Sequence, residues 1–265
     1  MIRFGEMIRG AAIALGAVTL AAGAANAAQC GNNSAGFENW KRQFAQEAQG
    51  RVGPTAISAL MGAHYARATI GADRGQHGFK LSLDQFMAKR GGAAIVSRGK
   101  TLKKTHAALF AQIEQRYGVP AGPLLAIWGM ETGFGAVRGK QHLISAVATL
   151  AYDCRRSAYF TDQLYAALKL VDRGTFSANT IASMHGEVGQ TQFMPKTVLN
   201  YAVGNLESSS GALLSTANFL KGHGWTRGAG YQPGEANFAA IQEWNAASVY
   251  QRAIAIIGAR IDGGR

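Results

Sequence analysis

The sequence predicts an all-α fold, and three observations carry that prediction. Apolar residues recur at helical spacing, proline and glycine punctuate those stretches, and no convincing run alternates apolar with polar residues as a half-buried strand would. Phe37, Trp40 and Phe44 fall at i, i+3 and i+7 and make the first amphipathic helix. Leu102, Phe110, Ile113 and Tyr117 continue such a stripe through one longer helix that ends at Gly118. Pro120 and Pro123 then open a new helix, where proline is tolerated in the first turn, and Gly133 stops it, placing Glu131 in its last turn. Further helices are expected over 143–152, 156–172, 195–203, 211–222 and 247–260. No low-complexity linker or internal repeat interrupts them, so the chain reads as one or two compact helical units.

The first residues bear on compartment. Arg3 and Arg9 form a basic start, residues 11–22 an Ala-rich apolar stretch, and Ala25-Asn26-Ala27 a small-x-small cleavage pattern. The expectation is a signal peptide over 1–27, cleaved after Ala27, and a soluble periplasmic protein. A lipoprotein anchored at Cys30 ranks second, because Gln29 is a poor residue to precede a lipid-modified cysteine. Cys30 and Cys154 are the only two cysteines, and in an oxidising compartment such a pair is expected to join. No CxxC or Cys/His cluster points to a redox site or structural zinc. The formal charge is +12, and losing Arg3, Arg9 and Glu6 with the leader lowers it by only one. With no nucleic-acid motif present, a polyanion such as the cell wall is the expected partner, beside the plainer reading of charge for solubility.

Glu131 sits in I-W-G-M-E-T-G-F-G, among Trp128, Met130 and Phe134. Such a carboxyl either points into water or is held protonated for a purpose. A second stretch, S-M-H-G-E-V-G-Q-T-Q-F-M-P from Ser183 to Pro195, spaces polar groups with glycines beside an aromatic, which suits sugar hydroxyls and pyranose faces. A third, W-N-A-A-S-V-Y from Trp244 to Tyr250, offers an amide and a phenol. His185 and His223 lie in separate glycine-flanked loops with no third ligand at a recognisable spacing, so supporting or surface roles are expected.

These stretches, with A-T-L-A-Y-D-C-R-R (148–156), A-N-F-L-K-G-H-G-W (217–225) and a weaker D-R-G-Q-H-G-F (73–79), resemble the membrane-bound lytic murein transglycosylase B family. The likeness runs from about Phe37 to Ile261. It implies a lysozyme-like catalytic domain over 118–265 behind an N-terminal helical region over 28–117. It also implies an enzyme that cuts peptidoglycan between N-acetylmuramic acid and N-acetylglucosamine, leaving 1,6-anhydro ends. Glu131 matches the family's catalytic glutamate, acting as sole acid and base without a cofactor. Ser183, Gln192 and Phe193 match sugar-contacting positions, and Asn245 and Tyr250 match the floor of the cleft. The resemblance makes glycan strands the substrate of a monomer, with cell-wall synthesis or envelope-assembly proteins as candidate partners. Rival readings are a muramidase that hydrolyses the same bond and a peptidoglycan-binding protein without activity.

Three departures stand out. Where relatives carry an acidic calcium loop, residues 203–211 read V-G-N-L-E-S-S-S-G with one carboxylate, so no metal is expected. Phe219 and Phe86 stand where relatives can carry tyrosine. Glu187 stands where a small residue is usual: either a solvated or backbone-capping loop acid, or a second carboxylate near the site that raises the chance of hydrolysis.

Overall fold

The computed structural model describes residues 28–75 and 81–264. The expected signal peptide and residues 76–79 of the D-R-G-Q-H-G-F echo lie outside the described residues. Thirteen α-helices are found among those described: α1 Phe37–Glu47, α2 Pro54–Met61, α3 Arg67–Arg74, α4 Leu83–Lys89, α5 Gly92–Thr105, α6 Ala107–Tyr117, α7 Ala121–Thr132, α8 Leu143–Tyr152, α9 Ser157–Asp172, α10 Pro195–Tyr201, α11 Ser209–Gly222, α12 Phe238–Trp244 and α13 Ser248–Asp262. Two short strands, β1 Gln141–His142 and β2 Ile181–Ala182, pair antiparallel. The fold is all-α, as the periodicity predicts.

The centre of the molecule is α7. Every one of its residues is buried except Glu131. α13 and α5 pack along it, and two glycines make that approach close. A Cβ at Gly122 would run into the Gly258 carbonyl of α13, and one at Gly129 into Ile95 of α5. A helix apolar all round belongs in a core, so the one polar position on it needs its own account.

The expected single helix from Leu102 to Gly118 is two. The chain leaves helical geometry at His106 (φ −111°, ψ 27°). The reason is packing: α5 lies against α7 and α13, whereas α6 turns to lie against α11, and one straight rod could not cover both. Helices α2, α3, α4 and α12 have no counterpart among the expected elements. Each is seven or eight residues long, and tertiary contacts rather than a periodic stripe hold it.

Phe37, Trp40 and Phe44 of α1 are buried against Tyr65, Tyr152 and Tyr165. The hydrophobic core runs without a break from these residues to Ile261, so the segments on either side of 117/118 share one interior. Lys41 is also buried. Its ammonium donates to the Met61 and Ala63 carbonyls at the end of α2 and pairs with Glu38 at 3.0 Å.

Cys30 and Cys154 are joined. The bond ties the start of the described chain to the 153–156 turn, and the Gly31 N–H donates to the Tyr152 carbonyl at 2.9 Å. That turn is held from the other side by ion pairs: Asp153 to Arg74 at 3.0 Å, and the buried Asp73 to both Arg155 and Arg156.

Candidate active site

Three consecutive residues after α7 adopt left-handed backbone: Gly133 (φ 59°), Phe134 (φ 62°) and Gly135 (φ 80°). The reversal folds Phe134 back onto Trp128, rings edge to face at 5.4 Å. At Gly135 a side chain would strike Gln190 as well as strain the backbone, so glycine is required twice over. Thr132 then explains why E-T is followed by the distant G-x-x-G loop. Its hydroxyl donates to the Gln190 carbonyl (2.6 Å) and accepts the Gly135 N–H (2.9 Å). The Trp128 indole N–H donates to the Gln190 side-chain oxygen at 2.9 Å. These bonds fix the end of α7 against the 186–193 loop, and Glu131 with it.

The loop itself is a tight reversal. Val188 and Phe193 exchange backbone hydrogen bonds at 2.9 Å each way, with Gln192 at positive φ (56°). A non-glycine residue in this conformation is strained and persists only where its surroundings over-determine it. Here the Gln192 side-chain amide donates to the Gly189 carbonyl at 2.9 Å. Phe193 is buried, its ring 5.4 Å from Trp244.

Glu131 opens onto a cavity of about 740 Å³. Gln192, Phe193, Asn245 and Tyr250 line it, as do Glu187, His185 and Phe219. Ser183 does not. Its hydroxyl donates to Glu187 Oε2 at 2.7 Å and accepts the His185 and Glu187 N–H groups, so it shapes the loop that presents Glu187. Phe86 lies behind the cleft, buried, its ring 5.9 Å from that of Tyr250. His223 is stacked on Phe219 with ring centres 4.0 Å apart, and its Nδ1 lies 2.8 Å from the Phe219 carbonyl. Among the described residues no three His, Cys, Asp or Glu side chains gather as a metal would need.

Two donors meet the Glu131 carboxyl at the same oxygen. The Tyr250 hydroxyl donates to Oε1 at 2.7 Å and the Trp244 indole N–H at 3.1 Å. Burial dominates the electrostatics and lifts the Glu131 pKa to about 7. The two hydrogen bonds pull it down, the Glu187 charge pushes it up, and Arg90 pulls it down again. Tyr250 is itself raised well above the usual phenol value, first by burial and then by Glu131, so it remains a donor. The result is a carboxyl about half protonated near neutral pH, with Oε1 held by two donors and the residue lining the cavity. Such a group can give a proton and take one back.

Sequence reasoning missed Trp244, Arg90, Arg156 and Tyr159, all of which line the cavity. Trp244 opens the W-N-A-A-S-V-Y stretch, where its indole reads as core by default. Arg90 carries no local signal, since folding alone brings it to the cleft.

A family model described as "Transglycosylase SLT domain" matches residues 36–234. The chain belongs to that family. Among relatives of this transglycosylase domain, it is similar to "Membrane-bound lytic murein transglycosylase B" of Escherichia coli (strain K12), 37% identical over 123 residues. That alignment covers 43% of this chain and 34% of the relative, about a third of its length. Among solved structures, SltB3 from Pseudomonas aeruginosa in complex with NAG-NAM-pentapeptide superposes with a TM-score of 0.78 at 28% identity, covering 86% of this chain and 80% of that one. Escherichia coli Slt35 in complex with calcium shares the fold, with a TM-score of 0.72 at 23% identity over 89% of this chain and 96% of that one.

The transglycosylase domain of this chain does not fit a calcium ion at 203–211. Glu207, the one carboxylate, is paired with Arg138. The Asn205 side-chain oxygen accepts the Glu207 N–H at 2.9 Å, and Ser208 caps α11 through the Gly211 N–H. Oxygens that a cation would need are already engaged by protein donors.

Proposed function

We propose that this chain is a lytic transglycosylase that cleaves the β-1,4 bond between N-acetylmuramic acid and N-acetylglucosamine in peptidoglycan, with Glu131 as its only acid and base. One observation carries the reading: the one residue of α7 that is only partly buried is a carboxyl with a pKa near 7, held by Tyr250 and Trp244 at the wall of an open cleft. Protonated, Glu131 gives its proton to the glycosidic oxygen as the bond to the muramyl C1 breaks. The oxocarbenium-like centre that develops is assisted by the substrate's N-acetyl group. Now ionised, Glu131 takes the proton of the muramyl C6 hydroxyl, whose oxygen closes on C1 to form the 1,6-anhydro ring. No water is consumed, so the second carboxylate of a hydrolase is not needed. Gln192, Phe193, Asn245 and Tyr250 line the space for the sugars, while Ser183 acts on them through Glu187.

The reading also has the protein exported to the periplasm, supported by the leader-like start, the disulfide and the +12 charge. No described helix is long and apolar enough to cross a membrane. Division at 117/118 into an N-terminal region and a catalytic region is part of the proposal, with α5 of the N-terminal region packed against α7 and α13 of the catalytic one.

A muramidase is the second reading, favoured by one observation: Glu187 lines the same cavity and its charge acts on Glu131. Digestion of purified sacculi followed by mass spectrometry separates the two. Anhydro ends are expected, and Glu131→Gln should abolish release, because one residue performs both proton transfers. Dominant reducing-end N-acetylmuramic acid would instead assign water activation to this site. Binding to sacculi without any release would leave only a binding protein.

A further inference from the structure

Away from Glu131, a cavity of about 970 Å³ lies between the end of α2, the start of α8 and the turn that follows α9. It falls within the size range of ligand sites. Its three walls are tied to one another by the protein alone. The Asp172 carboxylate at the end of α9 accepts the Gly53 and Ala56 N–H groups at the start of α2. The buried Ser145 hydroxyl of α8 meets both the His64 N–H and the His64 ring Nδ1, each at 3.2 Å. The Thr180 carbonyl, in the turn after α9, accepts the Leu143 N–H at 2.9 Å. The cavity is therefore preformed.

Its lining is unusual for this chain. The sequence carries 27 Lys and Arg and 15 Asp and Glu, yet none of the described ones lines this cavity. What it offers instead are the hydroxyls of Thr55 and Ser58, the Asn179 amide and the His142 ring. None of these four side chains makes a hydrogen bond to another described residue. Beside them stand the partly buried Phe176 ring and the small residues Ala59 and Ala178. A charged ligand finds no counter-ion here, and a purely apolar one would leave the hydroxyls and the amide unpaired. A ligand with hydroxyls, an amide, a flat apolar face and a methyl group is an N-acetylated amino sugar. Phe176 also lines a third cavity of about 530 Å³, and Glu187 and Gln192 line both that one and the catalytic cavity. Shared walls thus link the three spaces. We propose that the 970 Å³ cavity is a second, non-catalytic sugar site, which anchors an N-acetylated amino sugar of the glycan at a distance from Glu131. The inference rests on the reading of the cleft for the identity of the glycan, and adds a place where the glycan is held without being cut.

Nuclear magnetic resonance on the Glu131→Gln protein, titrated with the N-acetylglucosamine trimer, tests this without turnover. The His64 and His142 ring signals report on the anchoring cavity, and the Trp244 indole signal reports on the cleft. Both sets should shift, each along its own saturation curve. Adding Ser58→Glu puts bulk and charge at an exposed position of α2. Binding read at the histidines should then weaken about tenfold or more, since a hydrogen bond is lost and a charge intrudes on a neutral ligand. Trp244 should titrate as before, and Ser58→Thr, which keeps the hydroxyl, should retain both sets of shifts. On sacculi, Ser58→Glu in the otherwise unmutated protein should raise KM and leave kcat unchanged. Histidine signals that stay still, whatever Trp244 does, overturn the proposal, and so do histidine shifts that survive Ser58→Glu. Histidine shifts beside a silent Trp244 would leave the anchoring site standing and count against the reading of the cleft. An unchanged KM on sacculi would overturn the anchoring role.

Discussion

Replacing Glu131 by Gln should change stability as well as activity, and the change should depend on pH. Ionised Glu131 is destabilising because burial lifts its pKa from 4.5 to about 7. The sign follows from linkage: the folded state binds this proton more tightly than the unfolded chain does. Stability from the group is therefore complete below pH 4.5 and is lost as pH rises through 7. At pH 8 the loss amounts to roughly 3 kcal/mol, from about 2.5 pKa units at 1.36 kcal/mol each. The substituted glutamine stays neutral and its side-chain oxygen still accepts from Tyr250 and Trp244, so the variant escapes that loss. Thermal melts of both proteins from about pH 5 to 8 would read it. The curves should nearly coincide at the acid end and separate by about 6–12 °C at the alkaline end, the variant melting higher. A gap that stayed constant across the range would refute a titrating, desolvated Glu131 and with it the argument for a protonated acid near neutral pH.

Four further outcomes follow from named contacts. Activity on sacculi should fall as pH rises through about 7, because the starting state requires protonated Glu131; a pH–rate profile checks this. Tyr250→Phe removes the 2.7 Å donor that favours the carboxylate, so the alkaline limb of the same profile should move to higher pH while the maximal rate drops. Gly135→Ala places a methyl against Gln190 at φ 80°. In denaturant melts it should lower stability by about 1–2 kcal/mol, and it should slow glycan release by loosening the Thr132–Gln190 lock. Cys30→Ser opens a link spanning 124 positions, worth roughly 4–5 kcal/mol in the chain-entropy account, and should lower the melting temperature with little effect on the initial rate at room temperature.

How much of this can be read from the chain depends on range. Glu131 is conspicuous because its neighbours within one helical turn are apolar, and the last turn of α7 is legible from Pro120, Pro123 and Gly133. The Cys30–Cys154 bond follows from two cysteines and a leader-like start. Ser183 is harder: a serine in a glycine-spaced loop looks like a sugar contact, yet its hydroxyl is used up within its own loop by the Glu187 carboxylate and by backbone N–H groups. Arg90 and Trp244 reach Glu131 across long stretches of chain, and nothing local to either marks it as part of a site. The break at His106 is likewise invisible, since the apolar stripe from Leu102 to Tyr117 keeps its period while its two halves face different partners.

The distances in sequence between Glu131 and its two donors, 113 and 119 positions, also set the order in which the site comes into being. A chain emerging N-terminus first carries its acid long before Trp244 and Tyr250 exist beside it, and before α13 is there to bury the helix that bears it. Until then Glu131 is an ordinary solvated carboxylate, ionised at neutral pH and unable to donate a proton. The raised pKa of Glu131 therefore arrives with α13, the last of the described helices, and not with the helix that carries the carboxyl.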